Sequence, residues 1–294
     1  MSRAETLGQS SSDQLIPGVS PQLYNINDFD RISKLVNTIS GIVLNETKRM
    51  LVYSRIAPLV RAAGAKTFNE FLFDLDSDPF RSEKVIEALT TNHTYFYREP
   101  HHYEHFANVV RPELLSRAAA GEPVRIWSAA CSSGEEIYTL LMMLLGTDRL
   151  EGLRIAKSDI LALGCDLAER AVTAARQAVY PADALNAIPP ALQKPWHSVE
   201  NGRATIAPQL RQMVRFRCLN LLKPWPFKSH FDVIFCRNVM IYFDGPTKEG
   251  LLLNLARQVR PGGYLYIGHS ERVSGAAAEL LTPVGQTVYQ RNLS

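Results

Sequence analysis

The chain has 294 residues, of which 46% are hydrophobic and 21% are charged, and its formal net charge is +3 at pH 7. A chain of this length can bury a sizeable core and is typical of two domains. The small net charge argues against a protein whose main task is to bind a nucleic-acid backbone. The four cysteines lie far apart with no CxxC pair, which is typical of reduced core residues in a cytosolic protein.

The N-terminal segment does not resemble a targeting sequence. Its first residues, MSRAETLGQSSSDQ, contain no apolar stretch of the kind found in signal peptides. Elsewhere, no uninterrupted apolar run reaches the roughly 18 residues that a membrane-spanning helix needs. We therefore expect a cytoplasmic protein in which residues 1–21 form a disordered tail.

Apolar residues recur at helical spacing between Tyr24 and about Thr91, and no convincing strand interrupts them. This pattern predicts an all-helical N-terminal domain over residues 22–95. The segment SDPFRSEKVIEALTTN predicts a helix near the end of this domain, with Asp78 or Ser82 as its N-terminal cap.

The periodicity changes after this domain. Residues 96–123 are predicted to form a linker with a connecting helix in HHYEHFANVVRPELL. From Val124 onward, the predicted strands are VRIWSAA, ILALGCD, VRFRCL, FDVIFC and GYLYIG, and the helices between them are EEIYTLLMMLL, AERAVTAARQAVY and TKEGLLLNLARQV. This alternation predicts an α/β domain over residues 124–294, with a parallel sheet covered on both faces. The last segment, TPVGQTVYQRN, predicts an added antiparallel edge strand.

In a doubly wound sheet, the ligand lies beyond the carboxyl ends of the strands. The turn after the first strand, ACSSGEE, has one glycine where a dinucleotide site has three. It also places Glu135 and Glu136 where phosphates would need positive charge. Asp166 follows the second strand and suits a ribose with two free hydroxyls.

Polar residues also follow the third and fourth strands, namely Asn220, Arg237 and Asn238. Amides at these positions would hydrogen-bond an adenine edge without supplying charge for a phosphate. The set predicts a nucleoside site without a pyrophosphate cradle, and S-adenosylmethionine fits it because this cofactor carries adenosine, a sulfonium and an ammonium. The competing interpretation is that the two glutamates only complement the helix dipole, at about 0.3–1 kcal/mol each.

Several longer motifs are more specific than these spacings. They are NHTYFYRE at 92–99, WSAACSSGEEIYTL at 127–140, NLL at 220–222, FDVIFCRNVMIYFD at 231–244 and GHSE at 268–271. Over about residues 22–294, the chain resembles the chemotaxis receptor methyltransferase family, CheR. The resemblance implies a Rossmann-like class I S-adenosylmethionine-dependent methyltransferase domain, an all-helical N-terminal domain and a small β-subdomain inserted over residues 192–214.

The resemblance also implies a function. It indicates a monomeric protein-glutamate O-methyltransferase that acts on the cytoplasmic helical bundle of bacterial chemoreceptors and also binds its product, S-adenosylhomocysteine. The family's cofactor contacts correspond here to Asn92, Thr94, Arg98, Glu136, Asp166, Asn220, Leu221, Arg237 and Asn238. Glu135 is an alternative to Glu136. Two departures from the family, Ile137 in place of a proline and Asp166 in place of an aspartate pair, remove no required group.

The chemistry of such a transfer follows from the acceptor. A glutamate with a pKa near 4.3 is ionised by roughly 500 to 1 at pH 7, so it needs no general base. Catalysis should then come from alignment and exclusion of water. Arg98 is the candidate to orient the acceptor carboxylate, and Tyr242 is a candidate hydroxyl near the methyl group. The alternatives are a surface ion pair of Arg98 with Glu99 or Glu104, and a purely structural Tyr242.

The N-terminal domain contains a cluster of basic residues that is predicted to dock on an acidic receptor bundle. Its members are Lys48, Arg49, Arg55, Arg61 and Lys66, with Glu46 as the single acid in this stretch. The alternative is an ordinary solvated face. Nucleic acid is a less favoured ligand, because the chain lacks an aromatic and basic platform and the NPPY-type motif of many base methyltransferases.

Three further expectations concern metals, peptides and other functions. His101 and His105 have the spacing of metal ligands on a helix, but no HExxH motif and no third carboxylate ligand is evident, so no metal is predicted. The hairpin SVENGRATI looks shorter than in members that bind a receptor pentapeptide, so we expect no such binding. A catalytically inactive S-adenosylmethionine-binding homologue and a nicotinamide enzyme stay open as less favoured functions.

Overall fold

The computed structural model describes residues 16–73, 75, 78–90 and 94–293. The chain divides into two compact units, 1–91 and 92–294, so the division lies slightly before the predicted domain end at residue 95. Residues 1–15 of the predicted tail lie outside the described residues. The prediction of disorder is wrong for residues 16–21, because the Ile16 side chain is buried and the Val19 amide donates to the Ile16 carbonyl.

The described part of the first unit is helical. It contains α1 (Ile26–Ser40), α2 (Arg49–Ala62), α3 (Phe68–Leu72) and α4 (Pro79–Leu89), with a 3₁₀ turn at Glu46–Lys48. Asp78 caps α4, because its carboxylate accepts a hydrogen bond from the Arg81 amide at 3.0 Å. The other predicted cap, Ser82, instead donates to the Leu75 carbonyl at 2.7 Å. Apolar side chains meet in a core that includes Ile32, Val36, Val52, Ile56 and Phe68.

The second unit begins with one helical stretch. It comprises α5 (Pro100–His105), a π-helical turn at Phe106–Val110 and α6 (Arg111–Ala119). The predicted connecting helix falls in this stretch. The strands that follow are β1 (Val124–Ala129), β2 (Ile160–Asp166), β3 (Val179–Pro181), β4 (His197–Glu200), β5 (Arg203–Ile206), β6 (Val214–Cys218), β7 (Phe231–Cys236), β8 (Val259–Ile267), β9 (Leu281–Gly285) and β10 (Val288–Arg291).

The main sheet has the strand order β6-β2-β1-β7-β8-β10-β9. The strands from β6 to β8 in this order pair in parallel. The direction of strand progression reverses between β1 and β7, which makes this edge the topological switch point where such sheets bind ligands. The C-terminal segment forms two antiparallel strands rather than the single predicted one, because the chain turns at Thr287 (φ +54°).

Helices cover this sheet. They are α7 (Glu135–Leu145), α8 (Arg149–Ile155), α9 (Glu169–Gln177), α10 (Pro190–Gln193), α11 (Pro208–Met213), α12 (Gly245–Gln258) and α13 (Ala277–Leu280). All residues of α7 except Met143 are buried, which explains its nearly continuous apolar sequence. No helix in the described ranges is both long enough and apolar enough to cross a membrane.

A second, small antiparallel sheet has the order β3-β5-β4. It begins before the predicted insertion at 192–214, because Ala178 adopts a left-handed conformation (φ +54°), ends α9 and lets residues 179–181 pair with β5. The hairpin between β4 and β5 turns at Asn201 and Gly202, both with positive φ, as a two-residue hairpin loop requires.

The four cysteines are free thiols, and three of them are buried as predicted. Cys218 is the exception. It is exposed because it lies on β6, the edge strand of the main sheet, and its thiol lies 2.6 Å from a carboxylate oxygen of Glu169.

Candidate functional site

The turn after β1 brings backbone amides to the carboxyl edge of the sheet. Its residues Ala130, Ser132 and Gly134 all have positive φ, at +65°, +49° and +97°. A Cβ atom at Gly134 would lie 3.0 Å from the Ala175 Cβ and 3.1 Å from the Tyr180 hydroxyl. Glycine is therefore required there both by the backbone conformation and by the close packing of neighbouring side chains.

Asp166 at the end of β2 is joined to this turn. Its carboxylate accepts hydrogen bonds from the Ser132 amide at 2.9 Å and from the Ala168 amide at 3.0 Å, and the residue is 8% exposed. Burial raises its pKa, although the backbone N–H groups oppose this shift. A carboxylate has about four acceptor positions, so Asp166 keeps capacity for a ribose hydroxyl.

The two glutamates at the start of α7 have different partners. The Glu136 carboxylate accepts from the Ser128 hydroxyl at 2.6 Å and from Arg237 Nη1 at 2.7 Å. The Glu135 carboxylate accepts from the Ser133 hydroxyl at 2.8 Å, and burial raises its pKa. The structure therefore places Glu136, and not Glu135, beside the residue that follows β7.

Arg237 lies between two carboxylates. Its Nη1 is 2.7 Å from Glu136 Oε2, its Nη2 is 3.2 Å from Glu99 Oε2, and Nη2 also donates to the Arg98 carbonyl. The ring of Tyr103 packs against the guanidinium, with 5.7 Å from Cζ to the ring centroid. Burial opposes the charge of Arg237, but the attraction of Glu136 and Glu99 raises its pKa, so the guanidinium stays ionised.

Glu99 connects the segment before α5 to the segment after β7. Burial alone would raise its pKa, but Arg237 and hydrogen bonds from His269 and Asn238 lower the pKa to about 2. The distances to Glu99 Oε1 are 2.9 Å from His269 Nδ1 and 3.2 Å from Asn238 Nδ2. Glu99 is thus an ionised carboxylate at the site.

Asn238 has a left-handed backbone conformation, with φ +58°. Its amide donates to Glu271 Oε2 at 3.3 Å, and the amide of Met240 donates to Glu271 Oε1 at 2.9 Å. Tyr242 ends the 3₁₀ turn that Met240 begins. It is half-buried, and its hydroxyl has no hydrogen-bond partner in the part of the chain that the structure describes.

The predicted adenine contacts lie at the same edge. The Leu219 amide donates to the Asp166 carbonyl at 3.0 Å, which places the next residues beside the ribose candidate. The Asn220 side chain accepts from the Leu222 amide at 2.9 Å and so shapes the turn. Leu221 is buried, and its carbonyl accepts from the Trp225 indole.

The remaining predicted residues belong to the segment before α5. Arg98 is half-buried, and its guanidinium carbon lies 5.8 Å from the centroid of the Tyr95 ring. Thr94 is half-buried, and Asn92 lies outside the described residues. The carboxylate of the neighbouring Glu99 lies 3.2 Å from Arg237 Nη2.

The sequence assigned no role to His269 or Glu271, and it suggested Glu99 only as an alternative surface partner of Arg98. Glu99 ends the motif NHTYFYRE, and the other two belong to GHSE. The motifs were therefore visible in the sequence, but the residue types alone did not indicate that these side chains meet the segment after β7.

The basic residues of the first unit have unequal surroundings. Arg55 donates to the carbonyls of Ala88 and Thr90 at the end of α4, at 3.2 and 3.0 Å. Arg49 pairs with Glu46 at 2.8 Å. The exposed members of the predicted docking cluster are Lys48, Arg61 and Lys66. About 100° per residue along α2 places Arg61 about 120° from Arg55, so these two do not share a face.

His101 and His105, which have metal-ligand spacing in the sequence, have different surroundings in the structure. His105 Nδ1 lies 2.7 Å from the Tyr266 hydroxyl. Within the described ranges, a possible metal-binding group is instead Glu99, His101 and His102, so a carboxylate is present that the sequence did not indicate. The Arg237 guanidinium beside Glu99 opposes binding of a cation there.

A Rossmann-like sheet with a buried acidic edge at its switch point defines a class I methyltransferase that binds S-adenosylmethionine. Family models agree: "CheR methyltransferase, SAM binding domain" matches residues 92–290, and "CheR methyltransferase, all-alpha domain" matches residues 27–90. The chain belongs to the CheR methyltransferase family. The predicted family, fold class and cofactor are confirmed.

Curated relatives have similar lengths. The chain is 41% identical to a probable chemotaxis protein methyltransferase of Rhizobium etli, over 87% of this chain and 96% of that protein. It is 38% identical to chemotaxis protein methyltransferase 2 of Pseudomonas aeruginosa, over 90% and 93%. It is 37% identical to the chemotaxis protein methyltransferase of Escherichia coli, over 89% of each chain.

Proposed function

We propose that the protein transfers a methyl group from S-adenosylmethionine to glutamate carboxylates on the cytoplasmic helical bundle of chemoreceptors, and so adjusts receptor signalling in chemotaxis. The observation that carries this proposal is the acidic switch-point edge. Asp166, Glu136 and Glu271 are buried there, and the guanidinium of Arg237 pairs with Glu136 and with the half-buried Glu99. This excess of carboxylates favours a cationic adenosine cofactor over a dinucleotide. The names of the relatives support a role in chemotaxis.

The residues at this edge fit the cofactor. Asp166 has acceptor capacity left for the ribose, and Glu136 can accept from an ammonium in addition to Ser128 and Arg237. The same site would use Asn220, Leu221 and Asn238 on the adenosine side, with Asn92, Thr94 and Arg98 contributed by the segment before α5. When bound, S-adenosylmethionine supplies an electrophilic methyl group on a positively charged sulfur.

The chain's own residues then have to orient the acceptor and exclude water. A receptor glutamate is already ionised at pH 7, so none of the buried carboxylates has to act as a base. We assign Arg98 to hold the acceptor carboxylate, because a guanidinium can bind one carboxylate edge and leave an oxygen lone pair free to react. We assign Tyr242 as a hydroxyl donor at the same place, since its hydroxyl is not used by any described neighbour.

The partner surface lies on the first unit. We propose that Lys48, Arg61 and Lys66 attract the acidic receptor bundle, while Arg55 serves α4 and Arg49 is partly neutralised by Glu46. Exposed charges of this kind mainly accelerate association and make it sensitive to salt. We expect the protein to act as a monomer.

The first experiment measures cofactor binding and methyl transfer separately. Calorimetry with S-adenosylmethionine and S-adenosylhomocysteine compares wild type with Asp166→Ala and with Asp183→Ala, which removes an exposed aspartate of the same unit. Binding should be lost only in Asp166→Ala. Labelled methyl should then appear on a receptor cytoplasmic fragment and disappear when its acceptor glutamates are changed to alanine.

Two results would contradict the proposal. Absence of binding by the folded wild type would reject the cofactor site. Binding without transfer to any glutamate-containing receptor fragment would reject the catalytic assignment and indicate a signalling module of the same fold.

A further inference from the structure

Glu271 is a buried carboxylate that no cation neutralises within the described residues. It is 6% exposed, and it follows β8 in the motif GHSE. Its Oε2 accepts hydrogen bonds from the amides of Gly268 at 2.6 Å and Asn238 at 3.3 Å, and its Oε1 accepts from the Met240 amide at 2.9 Å. Three backbone N–H groups from two separate loops therefore converge on one side chain.

These contacts join the end of β8 to the segment that follows β7. The Glu271 amide also donates to the Gly268 carbonyl at 2.9 Å, so the loop after β8 closes on itself and aims the carboxylate. Asn238 itself adopts a left-handed backbone with φ +58°, a conformation that asparagine tolerates better than most side chains. Met240 begins the short turn that ends at Tyr242. The Glu271 carboxylate thus holds a left-handed residue and the start of a turn.

Close packing at Gly268 reinforces this arrangement. A Cβ atom at this position would lie 2.6 Å from Asn238 Nδ2, 2.7 Å from the Asn238 amide nitrogen and 3.0 Å from Glu271 Oε2. Real Cβ atoms do not approach other atoms this closely, so any side chain at Gly268 would displace Asn238. The backbone of Gly268 therefore packs directly against Asn238.

We propose that Glu271 is a positioning residue of the methyltransferase site: its carboxylate fixes the turn that presents Asn238 and Tyr242. Glu271 would not touch the cofactor or the acceptor itself. The expected consequences for binding and transfer rest on the proposed roles of Asn238 and Tyr242. A carboxylate suits this task because it only accepts hydrogen bonds, whereas an amide side chain would direct an N–H group at one of the three backbone donors.

Burial and the three amide contacts act on the pKa of Glu271 in opposite directions. Burial raises its pKa, and the three backbone amides oppose that shift. Loss of the charge would place an O–H group against a backbone N–H group. The Glu271→Gln substitution imitates that change at constant size, so it weakens the contacts to Met240 or to Gly268 and Asn238 without creating a cavity.

The test uses the full chain and three variants. Glu271→Gln replaces one acceptor oxygen with an N–H donor, and Gly268→Ala displaces Asn238 while the carboxylate is retained. Glu279→Gln is the control because it removes an exposed charge from α13. Circular dichroism first identifies a temperature at which every variant is folded. At that temperature, calorimetry gives the affinity for S-adenosylhomocysteine, hydrogen exchange reports on the Met240 amide, and single-turnover transfer gives the rate of the chemical step.

The proposal expects both site variants to bind S-adenosylhomocysteine about tenfold to a hundredfold more weakly, because Glu271→Gln loses charge-assisted hydrogen bonds to the turn and Gly268→Ala displaces Asn238. The Met240 amide should exchange faster in Glu271→Gln, and Glu279→Gln should match wild type. A lower melting temperature with unchanged affinity and unchanged transfer rate would mean that Glu271 is only structural, and would overturn the proposal. If Glu271→Gln does not fold, unchanged affinity in Gly268→Ala has the same meaning.

These outcomes separate this inference from the proposed function. If wild type binds no cofactor, the proposed function fails, but exchange of the Met240 amide still shows whether Glu271 holds the turn. If wild type is active and both variants retain its affinity and rate, the assignment of Glu271 fails alone.

Discussion

Replacement of Arg237 should destabilise the second unit strongly, because its guanidinium is enclosed by carboxylates. Its side chain is 2% exposed and lies 2.7 Å from Glu136 and 3.2 Å from Glu99. Arg237→Met keeps most of the volume and leaves two buried carboxylates without a cation. Removing one partner of a buried ion pair typically costs about 3–5 kcal/mol, so we expect the free energy of unfolding to fall by this amount at pH 7.

The pKa of Glu99 gives a second route to this magnitude. Burial would raise the pKa, yet Arg237 and the hydrogen bonds from His269 and Asn238 lower it from 4.5 to about 2. At about 1.4 kcal/mol per pH unit, this corresponds to at most roughly 3 kcal/mol, which Arg237 shares with the two hydrogen-bond donors. Because the pKa is lower in the folded state, this stability is fully present above pH 4.5 and is lost as the pH falls towards 2.

Urea unfolding, monitored by tryptophan fluorescence, measures the loss of stability of the second unit. Trp127, Trp196 and Trp225 all lie in the second unit, so the signal does not report on the helical first unit. The loss of stability in Arg237→Met should be large at pH 7 and smaller at pH 3. Arg257→Met, at an exposed position on α12, is the matched control.

Two results would refute this reasoning. One is an Arg237→Met variant whose free energy of unfolding is within about 1 kcal/mol of wild type at pH 7, well below the cost of breaking a buried pair. The other is an equal loss at pH 7 and pH 3, which would mean that the effect comes from packing and not from the charge of the neighbouring carboxylates.

Three other predictions concern the turn, a buried histidine and the first unit. Gly134→Ala should lower the free energy of unfolding by about 1–3 kcal/mol in the same urea assay, because the residue has φ +97° and a crowded Cβ position. An unchanged free energy of unfolding would contradict the strain argument. Burial, followed by Arg237 and His101, lowers the pKa of His102 to about 3. The stability that the neutral ring contributes is therefore full above pH 6.5 and is lost as the pH falls towards 3. An NMR titration should find the His102 ring neutral at pH 5, and a protonated ring there would refute this. Arg55→Met should lower the stability of the first unit by about 1.5–3 kcal/mol and speed hydrogen exchange at the end of α4, because it removes two hydrogen bonds to carbonyls there. The exposed control, Arg61→Met, should have neither effect. Equal exchange in both variants would show that the two carbonyl contacts are unimportant.

The carboxyl edge of the sheet was predictable from the sequence, because apolar runs mark the parallel strands and parallel strands end at one edge. Asp166, Glu136 and Arg237 each follow or lie near the end of such a run. Their convergence therefore required only the order of elements and the rule that ligands bind at the switch point. The acidic set already favoured S-adenosylmethionine, and the family resemblance added the expected acceptor.

The partners of these residues were not predictable in the same way. Glu99 and Arg237 are separated by 138 positions, and no periodicity connects a residue before α5 to one after β7. Similarly, nothing local indicated that Arg55 would donate to carbonyls at the end of α4 rather than face solvent. The predicted helix AERAVTAARQAVY included residues 179 and 180, and pairing with β5 places them in a strand instead. Tertiary contacts decided all three cases.

The way in which the buried carboxylates are satisfied explains how the edge can stay acidic. A carboxylate paired with a lysine or arginine forms a pair with no net charge, whereas one that accepts only backbone N–H groups is stabilised while the site keeps its negative charge. Asp166 and Glu271 use backbone amides, and only Glu136 and Glu99 share the cation of Arg237. The fold therefore retains negative charge at the switch point without leaving a carboxylate unsatisfied, which is what a site for a cationic cofactor requires.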